Sequence, residues 1–304
     1  MSCTGRNYVC IPPVFPYTKH DFYIEKVILI RRIIKAALTV SLLLSTARYA
    51  PPVQAAEEEA TQVPILMYHK VSKDMSRLGK FTVSPGDFEA DLQYLRDNGY
   101  TTLTMADLIA YVQEGVELPK RPVVLTFDDG AYSDYLYVFP LLQVYEMKAV
   151  ISIIGRVTDE YSAEGRTDIH YPHLIWDQIR EMVMSGCIEI QNHGYDMHHG
   201  CGVQRAYGET GRNYEQRMSA DLTQLQTRAL AETGVIPNTF TYPFGGYNTE
   251  SEELLRTLGF SASLICEERV NLLKPGDDEC LFGLGRILRP HNKSAAQILQ
   301  QVKG

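Results

Sequence analysis

Short apolar runs alternate along this chain with longer segments in which apolar residues recur every three to four positions. The clearest run, residues 122–125, has charge and proline on one side and a glycine soon after it, which indicates a buried strand. Phe88, Leu92 and Leu95 share one face of a helical segment that follows a capping box at residues 84–87. The pattern favours strands that alternate with helices.

This alternation continues to residue 258 and favours an α/β fold. The predicted helices span residues 104–115, 136–145, 175–184, 216–232 and 250–258. The other predicted strands span residues 63–71, 149–154, 188–191 and 240–242. Such an order favours parallel strands covered by helices, in a barrel or a wound sheet.

Composition and charge narrow the classes of function. The chain has 304 residues, of which 45% are hydrophobic and 22% are charged, and this suits one large catalytic domain or two small ones. Its formal net charge of −8 argues against nucleic acid as a partner, because nucleic-acid binding relies on excess positive charge.

The first 55 residues have the plan of a secretory signal. Arg31, Arg32 and Lys35 precede an apolar run at residues 36–44, and small residues follow it. The run is short for a membrane span, and a cleaved signal and an uncleaved anchor both stay open. We therefore expect a signal or anchor at residues 1–55, a linker at 56–62 and the catalytic domain at 63–304. The domain would be secreted or attached to the outer side of the cytoplasmic membrane, with membrane contact only through the N-terminal segment.

Four of the six cysteines lie beyond the predicted signal: Cys187, Cys201, Cys266 and Cys280. Four cysteines allow three pairings, and we expect Cys266 to pair with Cys280, because these two bracket a polar loop. No CxxC motif is present in the sequence, which gives no support to a cysteine-based zinc site.

Two adjacent carboxylates, Asp128 and Asp129, follow the apolar run at residues 122–125. The carboxyl end of such a strand is where α/β folds place their chemistry. Neighbouring acids repel each other unless a cation or a proton separates them. One Asp is therefore expected to hold a metal while the other stays free as a base.

A second polar segment follows the strand predicted at residues 188–191 and contains His193 and His198. Two imidazoles five residues apart in a loop can converge on one ion and, with one carboxylate, form a triad that leaves positions open. His199 is expected to be a neighbouring surface side chain. The segment is predicted to reach the same sheet edge as the two acids.

A third segment, Tyr242-Pro243-Phe244-Gly245, follows the strand at residues 240–242. Aromatic, proline and glycine residues at that place suit a substrate wall, where backbone N–H groups can face a developing oxyanion. We therefore expect these four residues to bind substrate.

The three segments, in this order, resemble the polysaccharide deacetylase family with the NodB-homology domain, carbohydrate esterase family 4. The similarity covers residues 63 to 300 approximately. It implies an α/β fold, a deformed (β/α) barrel with a single catalytic domain, and metal-dependent removal of N-acetyl groups from a glycan. By this resemblance Asp129, His193 and His198 hold the metal and Asp128 is the catalytic base.

At two positions the sequence departs from the common family pattern. In both it resembles one branch of the family, the deacetylases of poly-β-1,6-N-acetylglucosamine, a biofilm polymer. Met197 stands where the common family loop has its second histidine, and Thr241 stands where an arginine usually orients the base. In that branch an early Tyr-His segment supplies the general acid, which implies this role for His69. A structural role for His69, and His291 as the acid instead, stay open. What positions Asp128 also stays open.

The resemblance implies a metal-dependent hydrolase acting on an extracellular polysaccharide that contains N-acetylglucosamine. Poly-β-1,6-N-acetylglucosamine is the first choice, and peptidoglycan or chitooligosaccharides are the alternatives. Zinc is the expected ion, although nickel, cobalt or iron accept the same ligands. A catalytically silent glycan-binding protein and an amidase of small cyclic amides are the alternatives from other classes. We expect a monomer.

Overall fold

A curved sheet of parallel strands forms the centre of the catalytic domain, within the residues that the structure describes. The computed structural model describes residues 60–165 and 172–301. The strands are β1 (Thr61–Val63), β2 (Ile65–Tyr68), β3 (Lys70–Val71), β4 (Thr82–Val83), β5 (Thr101–Leu103), β6 (Pro122–Asp129), β7 (Ala149–Ile153), β8 (Ile188–Asn192), β9 (Thr239–Thr241), β10 (Ala262–Leu264), β11 (Asn271–Leu273) and β12 (Ile287–Leu288).

Helices connect most of these strands and cover the sheet. They are α1 (Pro85–Asp97), α2 (Met105–Glu114), α3 (Phe139–Tyr145), α4 (Gly155–Glu164), α5 (Trp176–Met184), α6 (Gly211–Thr233), α7 (Thr249–Thr257) and α8 (Ala295–Gln301). None of these helices has the length and hydropathy needed to cross a membrane.

The main sheet has eight strands in the order β10-β9-β8-β7-β6-β2-β12, and β5 pairs with the first half of β6. Every pairing in it is parallel. Together with its helices the sheet forms a half-barrel of parallel strands, which confirms the predicted α/β fold class. All carboxyl ends of the parallel strands therefore point to one edge.

Strand β6 is the central strand, and all of its residues except Asp129 are buried or nearly so. Val123, Leu125 and Phe127 pack into the cluster that contains helices α1 and α3. Val124 packs on the opposite face, against helix α2. A strand that is buried on both faces needs a continuous apolar run, which is why the run at residues 122–125 identified it.

The capping box predicted at residues 84–87 is present, and a second capping box starts helix α2. Ser84 and Asp87 exchange side-chain to backbone hydrogen bonds at the start of α1, and Thr104 and Asp107 do so at the start of α2. Each box satisfies two backbone N–H groups that a helix start leaves without partners. The polar signals in the sequence thus mark true helix starts.

Three expectations need correction or fall outside the described residues. The strand predicted at residues 63–71 is divided into β1, β2 and β3, and helix α4 was not predicted. Cys266 and Cys280 are free cysteines, so the predicted disulfide is wrong. The signal or anchor at residues 1–55 lies outside the described part of the chain, as does most of the linker.

Candidate metal and catalytic centre

The register of the sheet brings the acidic and histidine segments to the same edge. Asp129 at the end of β6 pairs with Ile153, which in turn pairs with Asn192, the last residue of β8. His193 follows Asn192 directly, and its backbone N–H donates to the Ile153 carbonyl. Parallel register therefore places His193 beside Asp129, as the sequence predicted.

Asp129 leaves the strand in a left-handed backbone conformation. Its φ angle is 73° and that of Gly130 is 66°. A Cβ atom on Gly130 would lie 3.0 Å from the Ile153 Cγ2 atom, so glycine is required there by conformation and by space. The His173 Nδ1 atom lies 3.3 Å from the Asp129 carbonyl oxygen. Glycine and this contact together support the turn that presents the Asp129 carboxylate.

Asp129, His193 and His198 converge. The Asp129 Oδ1 atom lies 3.6 Å from the His193 Nε2 atom and 3.5 Å from the His198 Nε2 atom. One ligand atom from each residue lies within 4.8 Å of the other two. One carboxylate and two imidazoles at these separations form a donor set that suits a divalent ion such as zinc. The predicted triad therefore meets in space, and its role as the ligand set stays a prediction.

His193 is held in the tautomer that a metal ligand needs. Its ring is buried, and Nδ1 lies 2.7 Å from the Thr241 carbonyl oxygen, to which it donates. The proton is then on Nδ1, which leaves the lone pair of Nε2 directed at Asp129. Thr241 thus contributes its backbone to the centre, although its side chain is not the arginine common in the family.

The charge states also suit metal binding. Burial first, and then the neighbouring His193, lower the pKa of His198 to about 4, so its imidazole is neutral near pH 7. Burial raises the pKa of Asp129, but the neighbouring imidazoles, His193 first, outweigh it, and the pKa lies well below its ordinary value. Neutral imidazole and ionised carboxylate are the forms that coordinate cations.

The loop between the two histidines is tied to helix α6 by Asp221. The backbone N–H groups of Tyr195 and Asp196 donate to the two Asp221 carboxylate oxygens, at 2.6 and 2.8 Å. Gly194 precedes them with a φ angle of 83°. The sequence analysis did not identify Asp221, because the residues around an acid inside a long helix do not indicate that it binds a distant loop.

Asp128 is paired with a buried arginine, Arg286. The two NH groups of Arg286 donate to the two Asp128 oxygens at 2.6 and 2.8 Å, and the arginine side chain is 0% exposed. Its Nε–H also donates to the Ile265 carbonyl at 3.1 Å. The question of what positions Asp128 is therefore answered by Arg286. Arg286 lies 158 residues further along the chain, so the sequence around Asp128 could not reveal this partner.

The pairing with Arg286 keeps Asp128 ionised. Burial raises the pKa of this carboxyl, but the Arg286 guanidinium and the neighbouring His193 outweigh it, so the pKa lies below its ordinary value. The bidentate geometry also fixes the plane of the carboxylate. Asp128 is thus available as a proton acceptor of fixed orientation.

His69 contacts Asp128, whereas His291 is paired elsewhere. The His69 Nε2 atom lies 3.9 Å from the Asp128 Oδ2 atom, and the His69 ring packs against Phe81 at 4.7 Å between centroids. The His291 Nδ1 atom lies 2.6 Å from the Asp87 Oδ2 atom. His69 is therefore the better placed candidate for a general acid next to Asp128.

The third segment presents one of its predicted side chains to solvent. Phe244 is 79% exposed, and its ring centroid lies 5.3 Å from that of His198. Tyr242 is fully buried with its hydroxyl 2.9 Å from the Ser251 hydroxyl, and Pro243 is buried as well. The prediction that the Tyr242 and Pro243 side chains contact substrate is therefore corrected, because both support the loop from below. Gly245 has a φ angle of 69°.

His199 lies where it was predicted, on the surface. Its side chain is 63% exposed and contacts the Asp196 carboxylate at 3.0 Å. It does not belong to the group of possible metal ligands found among the described residues. The second imidazole of the centre is therefore that of His198.

Comparison with known proteins agrees with the family resemblance found in the sequence. A family model described as polysaccharide deacetylase matches residues 115–263. A poly-β-1,6-N-acetyl-D-glucosamine N-deacetylase of Escherichia coli (strain K12) is 26% identical over 260 residues, which cover 78% of this chain and 38% of that protein. The chain thus spans well under half the length of this relative.

Two further similarities extend over most of the domain. The YxkH protein of Bacillus subtilis (strain 168) is 29% identical over 233 residues, which cover 76% of this chain and 72% of that protein. The structure of a de-N-acetylase from Aggregatibacter actinomycetemcomitans superimposes with a TM-score of 0.69 at 23% identity, over 79% of this chain and 99% of that one, and shows the shared fold. The matched segment holds both acids and both histidines of the centre, and the chain belongs to the polysaccharide deacetylase family.

Proposed function

We propose that this chain is a metal-dependent hydrolase that removes N-acetyl groups from N-acetylglucosamine units of an extracellular polysaccharide. Poly-β-1,6-N-acetylglucosamine is the substrate that we favour, because the Escherichia coli relative is named for it. The observation that carries the proposal is the meeting of Asp129, His193 and His198 beside the arginine-bound Asp128.

Asp129, His193 and His198 are the side chains that would hold the divalent ion. Two imidazoles and a carboxylate suit zinc, and nickel, cobalt or iron would accept the same donors. Such an ion, when bound, supplies a Lewis acid and lowers the pKa of water to near neutrality. The neutral state of His198 and the Nε2 lone pair of His193 support this assignment.

The remaining residues divide the proton transfers. Asp128, ionised and oriented by Arg286, takes a proton from the water that attacks the acetamide carbonyl carbon. His69, next to Asp128, gives a proton to the amine nitrogen as the C–N bond breaks. The products are acetate and a glucosamine unit. The backbone N–H of Phe244 is our candidate donor to the oxyanion.

We also propose that this hydrolysis takes place outside the cytoplasmic membrane. The support is the order of basic residues, apolar run and small residues within residues 1–55. A polymeric substrate at the cell surface agrees with that location. N-terminal sequencing of the protein recovered from the medium and from membranes would separate a cleaved signal from an anchor.

The deciding experiment is acetate release by the full chain, loaded with metal, from β-1,6 and β-1,4 oligomers of N-acetylglucosamine. Release from the β-1,6 oligomers supports the proposed substrate, and release from the β-1,4 oligomers alone transfers the function to chitin-type or peptidoglycan substrates. Binding of an oligomer without release would instead identify a silent glycan-binding protein. Turnover of small cyclic amides with no release from glycans would identify an amidase.

A further inference from the structure

A cavity of about 560 Å³ opens next to the catalytic centre, and the proposed reaction does not use it. Its lining includes Lys70, Lys73, Asp74, Arg77, Tyr132 and Tyr137. The volume is within the usual range of small-molecule sites, about 300 to 1,000 Å³. A single sugar unit with its substituents fits such a space.

The walls of this cavity continue from the residues of the centre. Lys70 follows His69 in the chain, and the lining residues Ala131 and Tyr132 follow the turn at Asp129. On the third side Pro172 precedes His173, whose Nδ1 atom contacts the Asp129 carbonyl oxygen. A glycan chain with one unit at the centre therefore has this cavity as the place for a neighbouring unit.

The cavity carries excess positive charge. Arg77 and Asp74 pair with each other at 3.2 Å and largely cancel. The Lys73 ammonium lies 5.3 Å from the centroid of the Tyr137 ring, and Lys70 is the second cation without an acid among the lining residues. Three cations and one acid give a net charge of 3 − 1 = +2.

One buried acid lies close to the cavity without offsetting this charge. Asp134 follows the lining residue Ser133 and is fully buried. Burial first, and then the charge of Asp129, raise the pKa of Asp134 well above its ordinary value, which favours the neutral form of this carboxyl. The cavity therefore keeps its positive potential.

We propose that this cavity is the subsite for the sugar unit next to the reacting one, and that it selects that unit by charge. A unit with a carboxylate is preferred to neutral N-acetylglucosamine, which is preferred to free glucosamine with its ammonium group. The tyrosine rings offer faces for the sugar, and the two lysines supply the discrimination. The inference rests on the proposed function and adds the charge class of the neighbouring unit.

The test uses three trisaccharides with the same central N-acetylglucosamine. The two outer units are N-acetylglucosamine, glucosamine or a uronic acid, and kcat/KM for acetate release from the central unit is measured with the metal-loaded full chain. We expect kcat/KM to fall in the order acidic, neutral, cationic, by about fivefold for each step, since an exposed pair of charges contributes little more than that. About 0.5 M salt should reduce each step, because the lysines are open to solvent.

Variants of Lys73 separate charge from shape. Lys73→Met keeps most of the side-chain volume and should reduce the differences in kcat/KM among the three trisaccharides. Lys73→Glu should favour the cationic trisaccharide over the acidic one. Lys120→Glu is the matched control, because Lys120 precedes β6 at the sheet edge opposite to the centre. At a rise of about 3.3 Å per residue, the length of β6 separates it from Asp129 by about 23 Å. The order of the three substrates should not change in this control.

Equal kcat/KM for the three trisaccharides, or an order that Lys73→Glu leaves unchanged, would overturn the inference. Failure of the proposed function has a different signature, the absence of acetate release from all three. In that case the dissociation constants of the three trisaccharides for the Asp128→Asn chain still rank them. The same order of affinities would support the subsite, and equal affinities would refute it.

Discussion

Removal of the Arg286 side chain should both destabilise the protein and abolish the reaction. Arg286→Met keeps most of the apolar stem but leaves the Asp128 carboxylate without its two donors. The two oxygens lose contacts of 2.6 and 2.8 Å, in a place where the acid side chain is 4% exposed and the arginine 0%. Asp128 then remains as a buried charge with no partner of equal strength.

The magnitude follows from that burial. Loss of one partner of a buried ion pair costs about 3–5 kcal/mol in the free energy of unfolding, because the remaining charge is not compensated. About 2–4 °C of melting temperature corresponds to each 1 kcal/mol for a domain of this size, so a decrease of about 10 °C is expected. Asp128→Asn combined with Arg286→Met removes the charge, and the double variant should recover at least about 1 kcal/mol.

Urea unfolding gives the stability, and acetate release per folded molecule gives the activity. Arg289→Met is the matched control, because Arg289 forms a second buried pair, with Asp91 at 2.6 Å, in which the side chains are 2% and 1% exposed. It should cost a similar free energy of unfolding and leave kcat/KM of the folded protein close to wild type. Arg286→Met should instead lower kcat/KM by about 100-fold or more, the usual contribution of a positioned proton acceptor.

Two results would refute this account. The double variant could be less stable than Arg286→Met by the full cost of a second independent substitution, which would show no coupling between the two side chains. Alternatively, Arg286→Met could retain normal kcat/KM once folded, and the arginine would then have no part in the orientation of Asp128.

Two further predictions test separate parts of the centre, and a third tests the capping box of helix α1. Asp128→Asn should keep the metal and lose turnover, whereas His193→Ala should lose both, as metal analysis and acetate release would show; full turnover of Asp128→Asn would exclude it as the base. Asp221→Leu frees two backbone N–H groups of the histidine loop and should weaken metal affinity by about 10- to 100-fold in a chelator competition, and an unchanged affinity would limit Asp221 to folding. Burial raises the pKa of Asp87, but bonds from Ser84 and His291 outweigh it and the pKa is lowered. Its stabilisation is therefore present above pH of about 4 and lost as the pH falls, so that Asp87→Asn should lower the urea midpoint at pH 7 more than at pH 3.

The sequence predicted those parts of the centre that depend on strand ends. The apolar run before Asp128 and the one before His193 identified two strands, and parallel strands deliver the residues after their carboxyl ends to one edge. The convergence of Asp129 with both histidines is a consequence of that geometry. Local periodicity was therefore sufficient for residues that are far apart in the chain.

Features that do not follow the carboxyl end of a predicted strand could not be predicted in this way. Arg286 lies before a strand of two residues, and nothing near it marks a buried guanidinium. Helix α4 starts after Ile154 without a side-chain cap and buries only Gly155 and Thr158, so it lacks both the polar and the apolar signals of a helix. Tyr242 was expected to bind substrate, but its hydroxyl has a buried partner in Ser251, and only tertiary packing reveals that.

Backbone strain provides an independent reason to regard this edge as the functional one. Three residues other than glycine have a positive φ angle in the described part of the chain: Asp129, Glu146 and Phe244. Glu146 ends helix α3, where a left-handed residue is ordinary. Asp129 and Phe244 both lie beside His198 and have no such local reason, although the conformation costs each of them about 1 kcal/mol or more. Strain of this kind persists only where the surrounding structure enforces it. Its occurrence at a carboxylate and at an exposed ring next to the same imidazole indicates that the fold holds both for binding rather than for stability.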